Sequence, residues 1–91
     1  MRTTKHLHIH GRVQGVFFRE SLSQKARELG VTGWVTNRSD GSVEAMLQGT
    51  ETAVAACVEW ARHGPDFAHV DKLEIADGWG EYSDFQRLST P

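Results

Sequence analysis

The chain has 91 residues, which is enough for one small domain and leaves no room for a second, so residues 1–91 are expected to form a single domain. A formal charge of −2 argues against a general nucleic-acid binder, which needs a strong basic excess. No apolar run approaches membrane-spanning length, and the N-terminus lacks the apolar core of a signal peptide. The lone Cys57 cannot form an internal disulfide, so we expect a reduced thiol in a cytoplasmic protein.

The first half of the chain predicts a strand, a helix and a β-hairpin. Apolar residues alternate with histidines over 5–10, which is typical of a strand with one buried face. Apolar residues then recur at helical spacing over 18–29. Alternation predicts two further strands over 31–36 and 43–48, and the pair Asp40-Gly41 between them is a strong hairpin signal.

The second half predicts a helix followed by two strands. Thr50 is a candidate N-cap for a helix that continues to about Arg62, with Cys57 on its apolar stripe. A fourth strand is expected over 70–75 and a short fifth over 82–88. The order β-α-β-β-α-β predicts an α+β ferredoxin-like sandwich, in which one mainly antiparallel sheet carries two helices on one face.

The connection between the first strand and the first helix reads Gly11-Arg12-Val13-Gln14-Gly15-Val16-Phe17-Phe18-Arg19. Glycines let a backbone approach a ligand closely, and a helix N-terminus offers unpaired N–H groups to an anion. Arg19 in the first turn adds a planar cation suited to phosphate oxygens. The segment therefore predicts a phosphate-binding loop, although similar connections often bind nothing. It matches neither the P-loop nor the dinucleotide fingerprint, so nucleotide binding is disfavoured.

Asn37 ends the second predicted strand and opens the hairpin. Asparagine is common at such positions simply because it tolerates turn geometry. In the expected fold, however, the first and third strands are neighbours and the second flanks the third. Asn37 can then lie near the N-terminus of the first helix.

Two segments together resemble the signature segments of the acylphosphatase family. One is the connection from Gly11 to Arg19, and the other is Gly33-Trp34-Val35-x-Asn37-x-x-x-Gly41-x-Val43 with Gly49 following. They cover 26 positions, and their spacing fits the family. The resemblance implies hydrolysis of the carboxyl–phosphate bond of small acyl phosphates, with no metal and no other cofactor.

The resemblance also implies roles for individual residues. Arg19 binds the phosphoryl group together with backbone N–H groups from four residues: Gly15, Val16, Phe17 and Phe18. Asn37 is the counterpart of the residue that orients the attacking water. The expected partner is a small-molecule acyl phosphate, with neither a nucleic acid nor a membrane involved, and we expect a monomer.

Two positions depart from the usual pattern of the family. Thr36 stands where a basic or otherwise long polar side chain is common, which bears on substrate attraction near Asn37. Arg87 stands where an aliphatic residue is more usual, which bears on the placement of the fifth strand.

Two other classes of function remain open at this point. A non-catalytic module that binds phosphate or acyl phosphates is one, since related domains occur within larger enzymes that process carbamoyl phosphate. The lack of any fused segment favours a stand-alone enzyme. An RNA-binding module is the other, but the paired aromatic residues that such a module needs on adjacent central strands are missing.

Several further residues are interpreted structurally. The histidines of the first strand share one face, and without an evident acidic or cysteine partner they predict a solvent-facing surface, not a metal site. Cys57 is expected to be inert packing, and the tryptophans to pack in the core or at its shoulder. The scattered carboxylates are expected to be solvated; they include Glu51, Glu59, Asp66, Asp71 and Asp77.

Overall fold

The computed structural model describes residues 1–89, which form one five-stranded sheet with two helices. The elements in chain order are β1 (Arg2–Arg12), α1 (Phe18–Leu29), β2 (Thr32–Asn37), β3 (Val43–Thr50), α2 (Glu51–Ala61), β4 (His69–Asp77) and β5 (Phe85–Arg87). The strand order across the sheet is β4-β1-β3-β2-β5. Neighbouring strands are antiparallel except for β2 and β5, which run parallel. The architecture confirms the predicted ferredoxin-like sandwich.

The largest differences from the predicted bounds are in β1 and β5. β1 extends beyond 5–10 in both directions, because Arg2 pairs with Thr50 of β3 and Arg12 pairs with His69 of β4. β5 is shorter than 82–88, because its three residues pair only with the part of β2 that begins at Gly33. None of the helices within residues 1–89 is long and apolar enough to cross a membrane.

The helix ends follow local sequence signals. Gly30 ends α1 in the left-handed conformation, with φ of 73°, and its N–H returns to the carbonyls of the last turn. Thr50 is the N-cap of α2, as predicted, and its hydroxyl accepts a hydrogen bond from the backbone N–H of Ala53 over 3.1 Å.

The core lies between the helices and one face of the sheet. Leu7 and Ile9 of β1 are fully buried there, as are Leu22 of α1 and Cys57 of α2. Burying an aliphatic side chain of this size stabilises a fold by about 1.5–3 kcal/mol. Burial also raises the pKa of the Cys57 thiol to about 11, which fits the predicted inert packing role.

Gly33 allows β2 to run close beside β3. Its φ of 134° is rarely adopted by other residues, and a Cβ at this position would lie 1.8 Å from the backbone oxygen of Met46. The resulting register pairs Thr36 with Glu44 and Asn37 with Val43. Asn37 is therefore the last paired residue of β2. It lies at the same end of the sheet as residues 13–17, the connection between β1 and α1 that we call the glycine loop.

Candidate active site

A cavity of about 210 Å³ opens where the glycine loop, the first turn of α1, the end of β2 and β5 meet. Its lining comes from parts of the chain that are distant in sequence: Val13, Gln14, Gly15, Phe17, Phe18, Arg19, Glu20, Asn37 and Arg87. Arg19 and Asn37, predicted from separate segments, therefore line one cavity. Of the four predicted backbone donors, Gly15, Phe17 and Phe18 line it, whereas the Val16 side chain is buried in the core.

The loop reaches α1 through two residues in the left-handed conformation. Gly15 has φ of 74°, and Phe17, which is the N-cap of α1, has φ of 64° with its side chain 76% exposed. A bulky residue rarely adopts this conformation, so the loop geometry here is held by its surroundings. The first backbone hydrogen bond of α1 runs from the N–H of Ser21 to the Phe17 oxygen over 3.0 Å.

The backbone N–H groups at this helix start are available to a ligand. Among the hydrogen bonds formed within residues 1–89, none is donated by the N–H of residues 15 to 18, and no side chain caps the helix. These groups lie at the positive end of the α1 dipole, where an anion is stabilised. The loop can therefore supply several N–H donors to one phosphate group.

Arg19 is half-buried and held in place by the C-terminal part of the chain. Its Nη1 donates a hydrogen bond to the backbone oxygen of Leu88 over 2.6 Å. A guanidinium has five N–H donors, so this contact orients the group and leaves other donors for an anion. The preorganised position is what electrostatic catalysis requires, because the side chain does not have to be ordered during the reaction.

The hairpin that follows Asn37 is fixed by its own short hydrogen bonds. Asp40 accepts hydrogen bonds from the backbone N–H of Ser42 over 2.9 Å and from its hydroxyl over 2.5 Å. These bonds, the hydroxyl one first, lower the pKa of Asp40 below its ordinary value, so the turn carries a carboxylate at neutral pH. Within the described residues, the side-chain amide of Asn37 makes no hydrogen bond, and it is free to bind a water molecule.

Gln14 connects the loop to this hairpin. Its Nε2 donates to the backbone oxygen of Arg38 over 2.7 Å and to that of Ser42 over 2.8 Å. Both N–H groups of the amide are thereby used. Sequence reasoning assigned no role to Gln14, because its two acceptors lie more than 20 positions further along the chain.

Two charged residues of the cavity were also missed. Arg87 of β5 and Glu20 of α1 form an ion pair beside Arg19. Arg87 reaches the cavity because β5 runs parallel to β2 and pairs Arg87 with Val35. The only available signal was its departure from the family pattern. Thr36, the other departure, is buried outside the cavity, and its hydroxyl donates to the backbone oxygen of Ser89 over 3.0 Å.

The interpretation of the β1 histidines as lacking acidic partners was wrong. His6 Nε2 lies 2.6 Å from Glu44 Oε2, and His10 Nε2 lies 2.7 Å from Glu74 Oε1. The acids come from β3 and β4, which flank β1, so the pairing depends on strand register and not on spacing along β1. All of these side chains lie on the sheet face opposite the helices.

The tryptophans divide between the two faces of the sheet. Trp60 packs edge-on against Phe18, with ring centroids 5.4 Å apart, at the shoulder of the core. Trp34 and Trp79 instead flank His6 on the other face, and Trp79 is 63% exposed. The carboxylates expected to be solvated are all exposed.

Comparison with known proteins gives a consistent result. The family model named Acylphosphatase matches residues 5–87. An acylphosphatase of Thiobacillus denitrificans is 58% identical over 86 residues, covering 94% of this chain and 97% of that protein. The structure of an acylphosphatase from Coxiella burnetii superposes with a TM-score of 0.91 at 41% identity, covering 96% of this chain and 93% of the other. The structure of the acylphosphatase from Bacillus subtilis superposes with a TM-score of 0.89 at 31% identity, covering 97% of this chain and 99% of the other.

Proposed function

The chain belongs to the acylphosphatase family and hydrolyses the carboxyl–phosphate bond of small acyl phosphates to a carboxylate and inorganic phosphate, and from this premise we propose which of its residues do so. The phosphoryl group binds to Arg19 and to the backbone N–H groups of Gly15, Val16, Phe17 and Phe18. Asn37 orients the attacking water. The observation that supports these roles best is the cavity lined by both Arg19 and Asn37 beside the unpaired N–H groups of the loop.

The reaction makes modest demands on the protein because its leaving group is a carboxylate. The conjugate acid of that group has a pKa of about 4, so the group departs without a strong general acid. The remaining requirements are positioning of the reactants and stabilisation of the charge on the equatorial phosphoryl oxygens.

Arg19 and the glycine loop stabilise the charge on the phosphoryl oxygens. The N–H groups and the guanidinium surround the phosphoryl oxygens from two directions, and both are fixed before the substrate arrives. Because Arg19 is held by the Leu88 oxygen, its charge is directed without further ordering. Negative charge that moves onto the phosphoryl oxygens and the departing carboxylate is stabilised at this helix start.

Asn37 positions the attacking water. Its side-chain oxygen accepts a hydrogen bond from the attacking water and holds that water in line with the bond that breaks. An amide is too weak a base to take the proton, so the proton passes to a phosphoryl oxygen of the substrate. Glu20 does not serve as the base, because it is paired with Arg87.

The proposal extends to the setting in which the protein works. Residues 1–91 act as a single domain and as a monomer, in the cytoplasm, without a metal in the reaction. The buried Cys57, which forms no disulfide, supports a reducing compartment. The small acyl phosphate substrate is supported by a cavity of about 210 Å³, which has little room beyond the phosphate and a short acyl group.

Arg19→Ala tests the phosphate-binding role. The rate of benzoyl phosphate hydrolysis, measured in excess EDTA as the loss of substrate absorbance, should fall by roughly 10³–10⁵-fold. The circular dichroism spectrum should be unchanged. Arg12→Ala is the matched control, because Arg12 is an exposed arginine of the same segment that does not line the cavity. Near-normal hydrolysis by the Arg19 variant would refute the assignment.

Asn37→Ala and Asn37→Asp test the water-orienting role. If Asn37 acts on the water as the new bond forms, Asn37→Ala lowers kcat and leaves KM nearly unchanged. Asn37→Asp keeps the shape and an acceptor oxygen but adds a negative charge beside the phosphate, so it should raise KM. An Asn37→Ala enzyme with unchanged kcat and a raised KM would make Asn37 a substrate-binding residue instead.

The same assay separates this proposal from a non-catalytic module. A module binds inorganic phosphate tightly in calorimetry and leaves benzoyl phosphate intact over the same period. Metal-independent turnover with competitive inhibition by phosphate supports the enzyme. Repeating the assay with acetyl, carbamoyl and succinyl phosphates ranks the acyl groups by kcat/KM.

A further inference from the structure

Three side chains on the sheet face opposite the helices form a compact group outside the cavity: His8, His10 and Glu74. The histidines are two residues apart on β1 and so share a face, while Glu74 lies directly opposite His8 on β4. Glu74 Oε1 lies 2.7 Å from His10 Nε2 and 3.6 Å from His8 Nδ1. One ligand atom from each lies within 4.8 Å of the others, and no second group of three metal-ligating side chains does this among residues 1–89.

We propose that His8, His10 and Glu74 bind one Zn²⁺ ion, through His8 Nδ1, His10 Nε2 and Glu74 Oε1. A tetrahedral zinc with ligands at about 2.1 Å holds neighbouring ligand atoms about 3.4 Å apart. The two distances from Glu74 Oε1, 2.7 and 3.6 Å, bracket that value, so a small rotation lets the carboxylate share an ion with each histidine. Two imidazoles and one carboxylate are a donor set that favours zinc over magnesium or calcium.

Hydrogen bonds through Ser42 to Asp40 orient the His8 ring for metal binding. His8 Nε2 lies 2.7 Å from the Ser42 hydroxyl oxygen, and that hydroxyl lies 2.5 Å from Asp40 Oδ1. The Ser42 hydroxyl has one proton and donates it to the Asp40 carboxylate, so it accepts from His8. The His8 proton is therefore on Nε2, and the lone pair of Nδ1 faces Glu74. Metal-bound histidines are oriented in this same way by a partner on the other ring nitrogen.

The surroundings leave the group open to an ion. The side chains of His8, His10 and Glu74 are 27%, 33% and 49% exposed, so an ion can enter and water can fill the fourth position. Lys72 Nζ lies 3.7 Å from the other oxygen of Glu74, Oε2. Glu74 Oε1 faces both histidines and is hydrogen-bonded to His10 Nε2. Zinc replaces this hydrogen bond, and the His10 ring proton is then carried on Nδ1, so that Nε2 can bind the ion.

The ion would join β4, an edge strand, to β1. None of the three ligands lines the cavity, so the expected effect is on stability and not on hydrolysis. An ion that binds only the folded chain raises Tm as its concentration exceeds Kd. Failure of this inference is thus separate from failure of the catalytic roles, which are measured in EDTA.

The experiment uses the untagged full chain, freed of metal by chelation and dialysis and titrated with zinc against a chromogenic chelator. One zinc per chain should bind with a Kd at or below about 10 μM, and Tm should rise on saturation. His10→Asn and Glu74→Gln should each weaken binding by about 100-fold and remove the Tm rise, whereas Ser42→Ala should weaken binding by about tenfold. Saturating magnesium should not displace the zinc.

His6→Asn and His63→Asn are the matched controls. His6 lies on the same face of β1 but contacts Glu44, and His63 is exposed beyond α2. Both should keep the wild-type zinc affinity. A wild-type Kd weaker than about 10 μM, or equal losses in the His6 and His10 variants, overturns the proposal. So does unchanged affinity in both His10→Asn and Glu74→Gln.

Discussion

The side-chain amide of Gln14 donates a hydrogen bond to the backbone oxygen of Ser42 over 2.8 Å, and its second N–H reaches the oxygen of Arg38 over 2.7 Å. This one residue therefore connects the glycine loop to the hairpin after Asn37. In the proposed mechanism, Arg19 binds the phosphoryl group and Asn37 orients the water. Their separation therefore depends on this tie.

Gln14→Ala should lower kcat for benzoyl phosphate by about 10–100-fold, because a displacement of about 1 Å between reacting groups is enough for such a loss. Gln14→Glu should lower it further, since a carboxylate would face two carbonyl oxygens. Gln24→Ala is the control, because Gln24 is exposed on α1. A Gln14→Ala enzyme with wild-type kcat would show that the two segments are positioned independently of this side chain.

The Arg87–Glu20 ion pair at the cavity predicts a charge effect on substrate binding. In Arg87→Ala the Glu20 carboxylate is left unpaired beside an anionic substrate, so KM should rise by about tenfold with little change in kcat. High salt should reduce the difference, because screening weakens the repulsion. Steady-state kinetics at low and high ionic strength measure both effects.

Glu20→Ala combined with Arg87→Ala provides the internal check. Removal of both charges should return KM most of the way to the wild-type value, which makes the two substitutions non-additive. Arg62→Ala is a control for loss of an arginine, since Arg62 is paired with Glu59 away from the cavity. If the effects of the two cavity substitutions on KM are additive, repulsion between the unpaired Glu20 carboxylate and the substrate is not the cause.

Most of the fold could be predicted because its signals are local. Apolar alternation defined the strands, helical spacing defined the helices, and Asp40-Gly41 defined the hairpin. The extra length of β1 and the short β5 could not be read in this way. Where a strand ends depends on which residues of a neighbouring strand are available to pair, and Arg2 and Arg12 are paired by distant segments.

The candidate site divides along the same line. The loop, Arg19 and Asn37 were identified from residue types in two short segments, and their proximity followed from the expected strand order. Arg87 enters the cavity only through the parallel pairing of β5 with β2, and Glu74 meets His10 only through the register of β4 with β1. The register between two strands determines which side chains meet across them. The sequence shows which face of each strand is buried, but it does not show which residue of the neighbouring strand lies opposite.

Phe17 and Phe18 are adjacent but should respond oppositely to substitution. Phe18 is 1% exposed and packs against Trp60, so Phe18→Ala should lower the free energy of unfolding by about 3–5 kcal/mol. Phe17 is 76% exposed in a left-handed conformation that glycine adopts without strain. Phe17→Gly should therefore change stability by no more than about 1 kcal/mol, because the relief of strain offsets the entropy of the glycine.

Urea unfolding followed by tryptophan fluorescence measures both differences. Kinetics on the Phe17 variant add a second readout, because Phe17 lines the cavity and its N–H is one of the proposed phosphate donors. A more flexible loop should lower kcat even where stability is kept. A large loss of stability in Phe17→Gly would mean that its exposed ring is held by the chain after all.

The environment of Glu44, on the sheet face opposite the helices, predicts that the fold loses stability in acid. Burial alone would raise its pKa, but hydrogen bonds from His6 and Arg38 outweigh that effect and lower the pKa below the ordinary value. A carboxyl group whose pKa is lowered by folding stabilises the fold above its unfolded pKa of about 4.3, and this stabilisation is lost as the pH falls through the folded value. Glu44→Gln should therefore cost about 1–2 kcal/mol at pH 7.

The difference between wild type and Glu44→Gln should narrow as the pH falls below about 4.3, because protonation of the Glu44 carboxyl removes the charge that the two hydrogen bonds stabilise. Urea unfolding at pH 7, 5, 4 and 3 gives the four differences directly. Glu28→Gln is the control, because Glu28 is an exposed glutamate of α1, on the helix side of the sheet. A Glu44 difference that stays constant down to pH 3 would assign its effect to packing, and the two hydrogen bonds would then contribute no net charge-dependent stability.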